Sequence, residues 1–308
     1  MDAVAVILEA PEKLSLRSLA LSPMAAGDVR VEIDWSGVSS GTEKLLWTGR
    51  MPSFPGMGYP LVPGYESIGR IVDAGIDARG RIGEWVFVPG ANCFRDARGL
   101  FGGTARHVIL PQARAIPIRG SLGRDGILLA LAATAHHAIA IGGVPDLVIG
   151  HGILGRLIAR IAVATGGGAP VVWETNSARR DGFGYRVIDP VADERRDYSV
   201  ICDASGSADV LDIAFARLAK GGEVVLAGFY DRLSFAFPPA FMREARMRVA
   251  AEFTQTDVAA VIGLLDIGLL ELGGLISHAR PAEEASDAYP QAFTDPDCLK
   301  MVLDWRTI

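Results

Sequence analysis

The segment DLVIGHGILGRLIARIAVATG, residues 146–166, is the strongest constraint on the fold of this 308-residue chain. A short apolar strand leads into three glycines spaced GxGxxG, and a helical pattern follows. There Gly150 permits a tight turn, Gly152 lets the backbone approach a phosphate, and Gly155 lets helix and strand pack closely. The N–H groups at the start of such a helix favour a negatively charged ligand. The segment therefore predicts a pyrophosphate site, although an ordinary strand–helix connection shows the same pattern.

The residues around this turn predict which dinucleotide binds. Strands and helices alternate from Gly126 onward, which implies crossover connections and an open parallel sheet. Glu174 closes the second strand, where a carboxylate binds both ribose hydroxyls and repels a 2′-phosphate. This favours NAD, although the arginines that follow Glu174 would suit NADP. The other predicted cofactor contacts lie in the glycine turn, after Glu174 or at the carboxyl ends of later strands: Ile153, Leu154, Arg179, Ser205, Gly206 and Gly228.

The first 120 residues show a different sequence pattern. Short β-branched strands bounded by Gly, Pro and Asp predict a β domain, and helical periodicity is almost absent. A loop at Leu45–Gly64 is dense in Gly, Pro, Met and aromatic residues, and a loop of that length usually has a function. The last forty residues predict a strand, a short helix and a further strand.

Composition excludes several classes of protein. The net charge is −6 and no Lys/Arg block occurs, so a nucleic-acid partner is not expected. Three cysteines without a CxxC pair give neither a disulfide framework nor a cysteine-rich zinc knot. The apolar stretch 127–144 has the length of a short membrane span, but His136, His137 and a glycine pair interrupt it, so a buried helix is expected. The N-terminal residues do not resemble a signal peptide, so a cytoplasmic location is expected.

Motifs along nearly the whole chain resemble the medium-chain dehydrogenase/reductase superfamily. They are SGVSSGTEK, LVPGYESIGRIVDAG, LFGGTARHVILP, LAATAHHAI, GHGILG, DASGS and AKGGEVVLAGF, in the family's order. The resemblance implies an α/β chain with a GroES-like β-barrel domain and a Rossmann domain built on a doubly wound parallel sheet. The expected segments are a catalytic and substrate domain at 1–122, the dinucleotide-binding domain at 123–270 and a return to the first domain at 271–308.

Two further segments are similar to a narrower family, the bacteriochlorophyllide a dehydrogenases of bacteriochlorophyll biosynthesis. They are SGTEKLLWTGRMPSFPGMGYPLVPGYES and LSFAFPPAFMREARMRVAAE. That family uses NAD to oxidise the 3-(1-hydroxyethyl) group of a chlorin-type macrocycle to 3-acetyl. The resemblance implies NAD as cofactor and a tetrapyrrole substrate, a chlorin or bacteriochlorin. A homodimer and peripheral contact with the photosynthetic membrane stay open.

The apolar loop Trp47–Tyr59 and the segment Phe235–Phe241 would suit this flat substrate, because aromatic faces stack on extended π systems. Arg50 would pair with a propionate carboxylate. The alternative is that these side chains belong to the core or to an interface between domains, which we expect for Phe235 and Phe237. The full set of predicted substrate contacts is Trp47, Arg50, Met51, Phe54, Tyr59 and His136.

The chain departs from its zinc-dependent relatives at the catalytic metal. Ser40 stands at the first cysteine ligand, Tyr65 replaces the histidine, and Ala130 or a neighbour replaces the third ligand. These residues cannot supply the Cys/His set of a tetrahedral zinc site, so no metal is expected. An improvised site from Glu43, Glu66 and His136 has little support.

Without a metal, side chains must stabilise the charge on the alcohol oxygen and accept its proton. The candidates are Ser40, Thr42, Tyr65 and Glu66. The resemblance gives Thr42 the role of passing on the proton, while Tyr65 would polarise the oxygen and Glu66 would orient Tyr65 or accept the proton through water. The structural alternatives are turn-binding hydroxyls, a core aromatic and a Glu66 carboxylate paired with Arg70.

Two other functions fit the same motifs. A zinc-free quinone or enone reductase of this fold would use NADPH, and Glu174 opposes that reading. A catalytically inactive dinucleotide-sensing or scaffold protein would bind NAD without turnover.

Overall fold

A computed structural model describes residues 1–308, which form two compact units. The first comprises residues 1–130 and 272–308, and the second comprises residues 131–271. The contacts place the first boundary at residue 130 rather than 122. The reason is local, since Gly126 packs against Ile68 and Ile118 of the first unit.

The N-terminal part of the first unit is mostly β-structure, as the short strand patterns predicted. Its only α-helix is one and a half turns long and lies directly before the apolar loop. The elements are β1 (Asp2–Ala10), β2 (Lys13–Ala20), β3 (Asp28–Val38), α1 (Thr42–Trp47), β4 (Leu61–Val62), β5 (Ser67–Ala74), β6 (Trp85–Val88), β7 (Arg98–Gly99), β8 (His107–Pro111) and β9 (Ile116–Pro117).

The second unit alternates strands and helices. Its first helix is entered through the 3₁₀ segment Gly120–Leu128. The elements are α2 (Leu129–Gly142), β10 (Leu147–Ile149), α3 (Ile153–Ala164), β11 (Val171–Trp173), β12 (Arg186–Ile188), β13 (Tyr198–Asp203), α4 (Val210–Arg217), β14 (Leu218–Leu226), α5 (Phe237–Arg243), β15 (Arg246–Val249) and α6 (Gln255–Asp266).

The C-terminal segment completes the first unit. It contributes β16 (His278–Pro281), α7 (Ala285–Thr294) and β17 (Met301–Asp304). Strand β17 pairs antiparallel with β3 and parallel with β16, so it extends a seven-stranded sheet in the order β16-β17-β3-β5-β6-β9, with β8 also paired to β3. A smaller sheet has the order β2-β1-β4-β7. Apolar side chains of both sheets and of α7 share one core.

The second unit holds a six-stranded sheet whose pairings are all parallel. Its order is β12-β11-β10-β13-β14-β15, which is the 3-2-1-4-5-6 order of a doubly wound dinucleotide-binding sheet. The predicted parallel sheet is confirmed. Ligands of such sheets bind at the carboxyl ends of the central strands, and the glycine turn follows β10 there.

The apolar stretch 127–144 lies within the one helical segment, Gly120–Gly142, that is long and apolar enough to span a membrane by composition. Of its most apolar window, 61% is buried inside the protein, which is typical of a core helix.

One edge of the second unit exposes both apolar and charged side chains. In the edge strand β15, Met247 and Val249 are exposed and so are Arg246 and Arg248, and helix α5 exposes Phe237, Phe241 and Met242. Phe237 is 66% exposed and Phe235 is 40% exposed, so neither side chain lies in the core, which is one of the two places expected for them from the sequence.

Candidate functional site

Three hydroxyl groups meet where β3 ends and α1 begins. The Tyr65 hydroxyl lies 2.9 Å from Ser39 Oγ and 3.4 Å from Thr42 Oγ1. The backbone N–H of Thr42 also donates to Ser39 Oγ, at 3.3 Å. Ser39 is buried, whereas Thr42 and Tyr65 are half-buried and can reach a ligand. We call Ser39, Thr42 and Tyr65 the hydroxyl cluster.

Ser40 is not part of this cluster, contrary to the prediction. It is exposed, and its buried neighbour Ser39 makes the bond to Tyr65. The motif alignment placed Ser40 at a ligand position, but the serine that points inward at the end of β3 is the preceding one. The predicted grouping of Thr42 with Tyr65 is present in the structure.

Tyr65 is held in its protonated form. Burial raises its pKa well above the ordinary value of 10, and the negative charge of Glu66 raises it further, while the bonds to Ser39 and Thr42 lower it less. A neutral phenol donates a hydrogen bond, so this side chain can stabilise a negatively charged oxygen.

Glu66 is buried and forms an ion pair with Lys300, which is also buried. Arg70, the partner considered from the sequence, lies instead over the Trp85 ring at 5.9 Å. The pair fills the space beside Gly37, where a Cβ atom would overlap the Glu66 carboxylate and lie 3.0 Å from Lys300 Cε. Burial raises the pKa of Glu66, and Lys300 opposes this by its charge and hydrogen bond.

A second buried carboxyl lies in α1. Glu43 is fully buried, and its oxygens lack well-formed hydrogen bonds. Burial, followed by the charge of Glu66, raises its pKa to about 8, while Tyr289 and Lys300 oppose the shift. Glu43 is therefore mostly neutral at pH 7. Neither Lys300 nor Tyr289 was found from the sequence, because they come from the distant C-terminal segment.

Most of the predicted substrate contacts in the loop have structural partners. Trp47 packs 6.5 Å from Tyr289 and 6.4 Å from Phe293, and the Tyr59 hydroxyl donates to the Leu46 carbonyl. Met51 packs against a small core around Leu46.

Arg50 and Phe54 are exposed and remain available to a ligand. His136, in contrast, is engaged in the second unit. Its Nδ1 lies 2.8 Å from Asp257, and Nδ1 of His137 lies 3.0 Å from the same carboxylate. Asp257 belongs to the capping box of α6, so these bonds engage His136, a predicted substrate contact, within the second unit.

Phe101 was missed from the sequence. Its ring meets the Tyr65 ring edge-on, with 5.2 Å between centroids, and it is only half-buried. The LFGGT motif contained it, but nothing in the motif indicated a contact with Tyr65.

The glycine turn has the features of a phosphate cradle. Gly150 adopts a φ of +93°, and a Cβ atom there would lie 2.9 Å from Ser205 Cα. A Cβ atom at Gly155 would overlap the Gly150 carbonyl, whereas nothing lies within 4 Å of the Cβ position of Gly152. Helix α3 begins next, and the N–H groups of Ile153 and Leu154 in its first turn have no intrahelical acceptor. The residues that could hold a pyrophosphate are therefore those of the glycine turn and of the first turn of α3.

Glu174 lies beside the same turn. Its carboxylate accepts the backbone N–H groups of His151 at 3.2 Å and Asn176 at 2.8 Å, which orients it. Arg180 donates to the Glu174 carbonyl and pairs with Asp189, so its charge is already engaged. The Arg179 carbonyl accepts from the His151 ring, which anchors this loop.

The other predicted cofactor contacts lie at the same edge of the sheet. Ser205 follows β13, where its N–H binds Asp203 at 3.0 Å. A Cβ atom at Gly228 would lie 3.0 Å from the Gly206 nitrogen, so the turns after β13 and β14 are adjacent. The Tyr230 hydroxyl donates to the buried carboxyl of Asp203 and holds the two turns together.

No group of three or more His, Cys, Asp and Glu residues could hold a metal ion. The Ser40 and Tyr65 side chains, moreover, do not match the chemistry of a zinc site.

Comparisons with known proteins identify the family of the chain. Residues 25–120 match the family model of the alcohol dehydrogenase GroES-like domain. The chain is 55% identical, over 99% of both lengths, to 2-desacetyl-2-hydroxyethyl bacteriochlorophyllide A dehydrogenase of Cereibacter sphaeroides. The chain belongs to the medium-chain dehydrogenase/reductase superfamily. The predicted GroES-like and Rossmann architecture is thereby confirmed.

Solved structures of the superfamily share this fold. An alcohol dehydrogenase from Escherichia coli CFT073, in complex with NADH, is 20% identical with a TM-score of 0.84, and 99% of each chain is covered. A dehydrogenase from Sinorhizobium meliloti 1021, bound to NADP, is 20% identical with a TM-score of 0.83, covering 99% of this chain and all of the other. Members of the superfamily use a nicotinamide dinucleotide, and both forms occur among them.

Proposed function

We propose that this enzyme oxidises the 3-(1-hydroxyethyl) group of a bacteriochlorophyllide precursor to 3-acetyl, with NAD as oxidant and without zinc. The substrate assignment rests on the 55% identity, over 99% of both lengths, to a dehydrogenase named for this hydroxyethyl pigment. The hydroxyl cluster and the glycine turn supply the chemistry and the cofactor site that the reaction needs.

The choice of NAD rests on Glu174. Its carboxylate is oriented by two backbone N–H groups beside the glycine turn, where it can accept the hydroxyls of an unphosphorylated ribose. A 2′-phosphate would meet this negative charge, while the nearby Arg180 is already paired with Asp189. When bound, NAD supplies the hydride acceptor for the carbinol carbon.

The hydroxyl cluster stabilises the charge on the alcohol oxygen and accepts its proton. As the carbinol carbon loses a hydride, negative charge grows on the oxygen, and the protonated Tyr65 donates a hydrogen bond to it. The hydroxyl proton passes to Thr42 Oγ1, which releases its own proton toward solvent. Ser39 holds the Tyr65 hydroxyl in place at 2.9 Å. Glu66 lies buried behind the cluster and acts through its charge.

The zinc-independent mechanism follows from the donor set. Ser40 and Tyr65 replace two thiolate or imidazole ligands, and a hydroxyl or a phenol with a raised pKa is a poor ligand for zinc. The reaction therefore depends on hydrogen bonding at the oxygen.

The exposed apolar face of the second unit suits a second copy of the chain, so we include a homodimer in the proposal. Strand β15 pairs with β14 on one side only, and its outer edge is exposed. An exposed edge strand beside apolar side chains is a template for pairing, and a two-fold axis makes such pairing self-complementary. The exposed apolar residues at this edge are Phe237, Phe241, Met242, Met247 and Val249.

The decisive experiment is to incubate the protein with a 3-(1-hydroxyethyl) bacteriochlorophyllide, NAD and EDTA. A red shift to the acetyl pigment, with one NADH formed per ketone, is the expected result. Turnover only with NADP would contradict the assignment of NAD as cofactor. Turnover that EDTA abolishes and zinc restores would contradict the metal-free mechanism. Binding of NAD without any turnover would instead indicate a sensing protein.

A further inference from the structure

The segment from Arg98 to Phe101 connects the predicted substrate loop with Tyr65. At one end, the Phe101 ring meets the Tyr65 ring with 5.2 Å between centroids. At the other, the short strand β7 pairs with β4, and the Arg98 guanidinium donates to the Tyr59 carbonyl at 3.3 Å. Three extended residues span at most about 10 Å. The backbones of Arg98 and Phe101 therefore lie within about 10 Å of each other, a separation that a rigid ligand of larger size can span.

Phe101 is held rigidly. Its carbonyl accepts from Ala91 N–H at 2.7 Å, and the next residue, Gly102, donates to Val62 of β4 at 3.0 Å. Positive φ values at Gly90 (+97°) and Gly102 (+78°) allow the two backbone turns to close around it. The ring is nevertheless half-buried, so part of its surface faces outward beside the half-buried Tyr65. A fixed, partly exposed aromatic ring suits a flat π system.

Arg98 has unused donor capacity. Its side chain lies close against Gly58, where a Cβ atom would be 2.8 Å from the guanidinium carbon, so the glycine allows this position. It makes one hydrogen bond to the protein, no ion pair, and is exposed. A guanidinium has five N–H donors in a fork that matches a carboxylate. Arg50 is also exposed, but no hydrogen bond holds its side chain to the loop.

We propose that Phe101 and Arg98 form a recognition strip beside Tyr65, in which the Phe101 ring contacts a flat conjugated macrocycle and the Arg98 guanidinium binds its carboxylate side chain. The inference rests on the proposed function and states which part of the substrate each residue binds. It assigns the carboxylate to Arg98 instead of Arg50.

The carboxylate contact is tested with two substrates, the 3-(1-hydroxyethyl) pigment as free propionic acid and as propionate methyl ester. The wild-type protein is expected to favour the acid over the ester about tenfold in kcat/KM. This is the ratio expected from the loss of one charge-assisted hydrogen-bonding contact in the ester. Arg98→Gln should bring the ratio close to one with the ester rate retained, and Arg98→Lys should restore part of it. Arg95→Gln, an exposed arginine nearby in sequence, should keep the wild-type ratio.

The carboxylate contact would be overturned by no acid preference in the wild type, by an unchanged ratio in Arg98→Gln, or by loss of the ratio in Arg50→Gln alone. Equal loss of both substrates in Arg98→Gln and Arg98→Lys would also overturn it, since a purely structural arginine would do this. Failure of the wild type to oxidise either substrate would contradict the proposed function itself, which keeps the two failures apart.

The macrocycle contact is tested with Phe101→Leu and Phe101→Trp. Loss of the aromatic face should raise KM for the pigment by about three- to tenfold with little change in kcat, because stacking holds the ground state and the transition state alike. The tryptophan variant should return KM toward the wild-type value. A fall in kcat at constant KM would show that Phe101 acts only by positioning Tyr65, and would overturn the contact.

Discussion

Lys300 and Glu66 form an ion pair in which both side chains are buried, although one comes from the C-terminal segment and the other from the turn after β4. The charge of Glu66 helps to keep Tyr65 protonated, and Lys300 balances that charge. The C-terminal segment thus contributes to the electrostatics of the hydroxyl cluster as well as to the sheet.

Removal of the Lys300 charge should destabilise the fold. Lys300→Met leaves a buried carboxyl without its partner, which typically costs about 3–5 kcal/mol. Urea unfolding at pH 7 measures this loss. The double variant Glu66→Gln/Lys300→Met should regain much of the free energy of unfolding, because it removes both charges. A loss below about 1 kcal/mol in the single variant would contradict an energetically coupled pair.

Glu43 should make stability depend on pH. Its pKa is about 8 in the folded protein against an ordinary value of 4.5, so the folded state holds this proton in a range where the unfolded chain has released it. The stabilisation is complete below about pH 4.5 and declines as pH rises to 8, by at most about 1.4 kcal/mol per unit. The pKa of Glu66 is also raised, so its contribution to the free energy of unfolding likewise decreases as pH rises.

The variant Glu43→Gln isolates this contribution. It should flatten the decline in the free energy of unfolding between pH 5 and 8, measured by urea denaturation. Glu194→Gln, at an exposed site, is the matched control and should keep the wild-type slope. An unchanged slope in Glu43→Gln would mean that the carboxyl is ionised at neutral pH.

Tyr65→Phe and Thr42→Val should each lower kcat by about 10²-fold or more, because each removes a hydroxyl that acts on the reacting oxygen or its proton. KM should change much less. Thr48→Val is the matched control, since its hydroxyl binds the Lys44 carbonyl at the end of α1 and lies outside the cluster. Near-normal turnover in both cluster variants would refute the mechanism.

The local parts of the structure could be predicted from the sequence, and the long-range parts could not. An apolar strand bounded by turn residues is a local signal, and the segment YSVICD of β13 carries it. Helix α5 carries no comparable signal, since FPPAFMR is short and has prolines at its second and third positions.

The site follows the same rule. Thr42 and Tyr65 lie in motifs that indicated their role, whereas Lys300 lies in no motif and Phe101, although it lies in the LFGGT motif, contacts Tyr65 only through the fold. Apolar composition also failed to separate loop residues that face a ligand from those, such as Trp47, that pack inward.

Glu174→Gln should reduce the preference for NAD over NADP. The carboxylate accepts ribose hydroxyls through charge-assisted bonds, so its loss should weaken NAD binding by about 10- to 100-fold, or 1.5–3 kcal/mol. NADP binding should weaken less or improve, since the repulsion disappears. Titration calorimetry with both dinucleotides measures this. Equal losses for both would indicate that Glu174 only supports the glycine turn through His151 and Asn176.

The exposed edge of β15 should determine the oligomeric state. Light scattering of the wild-type protein at micromolar concentration is expected to give the mass of a dimer, because pairing satisfies the outer edge of β15 and covers the adjacent aromatic residues. Val249→Lys and Met247→Lys place charges at this edge and should shift the mass toward the 32.7 kDa monomer. Val191→Lys, at a site that is 91% exposed elsewhere in the second unit, should leave the dimer intact. A monomeric wild type would rule out the dimer. Edge variants that remain dimeric would show that the dimer contact lies elsewhere on the chain.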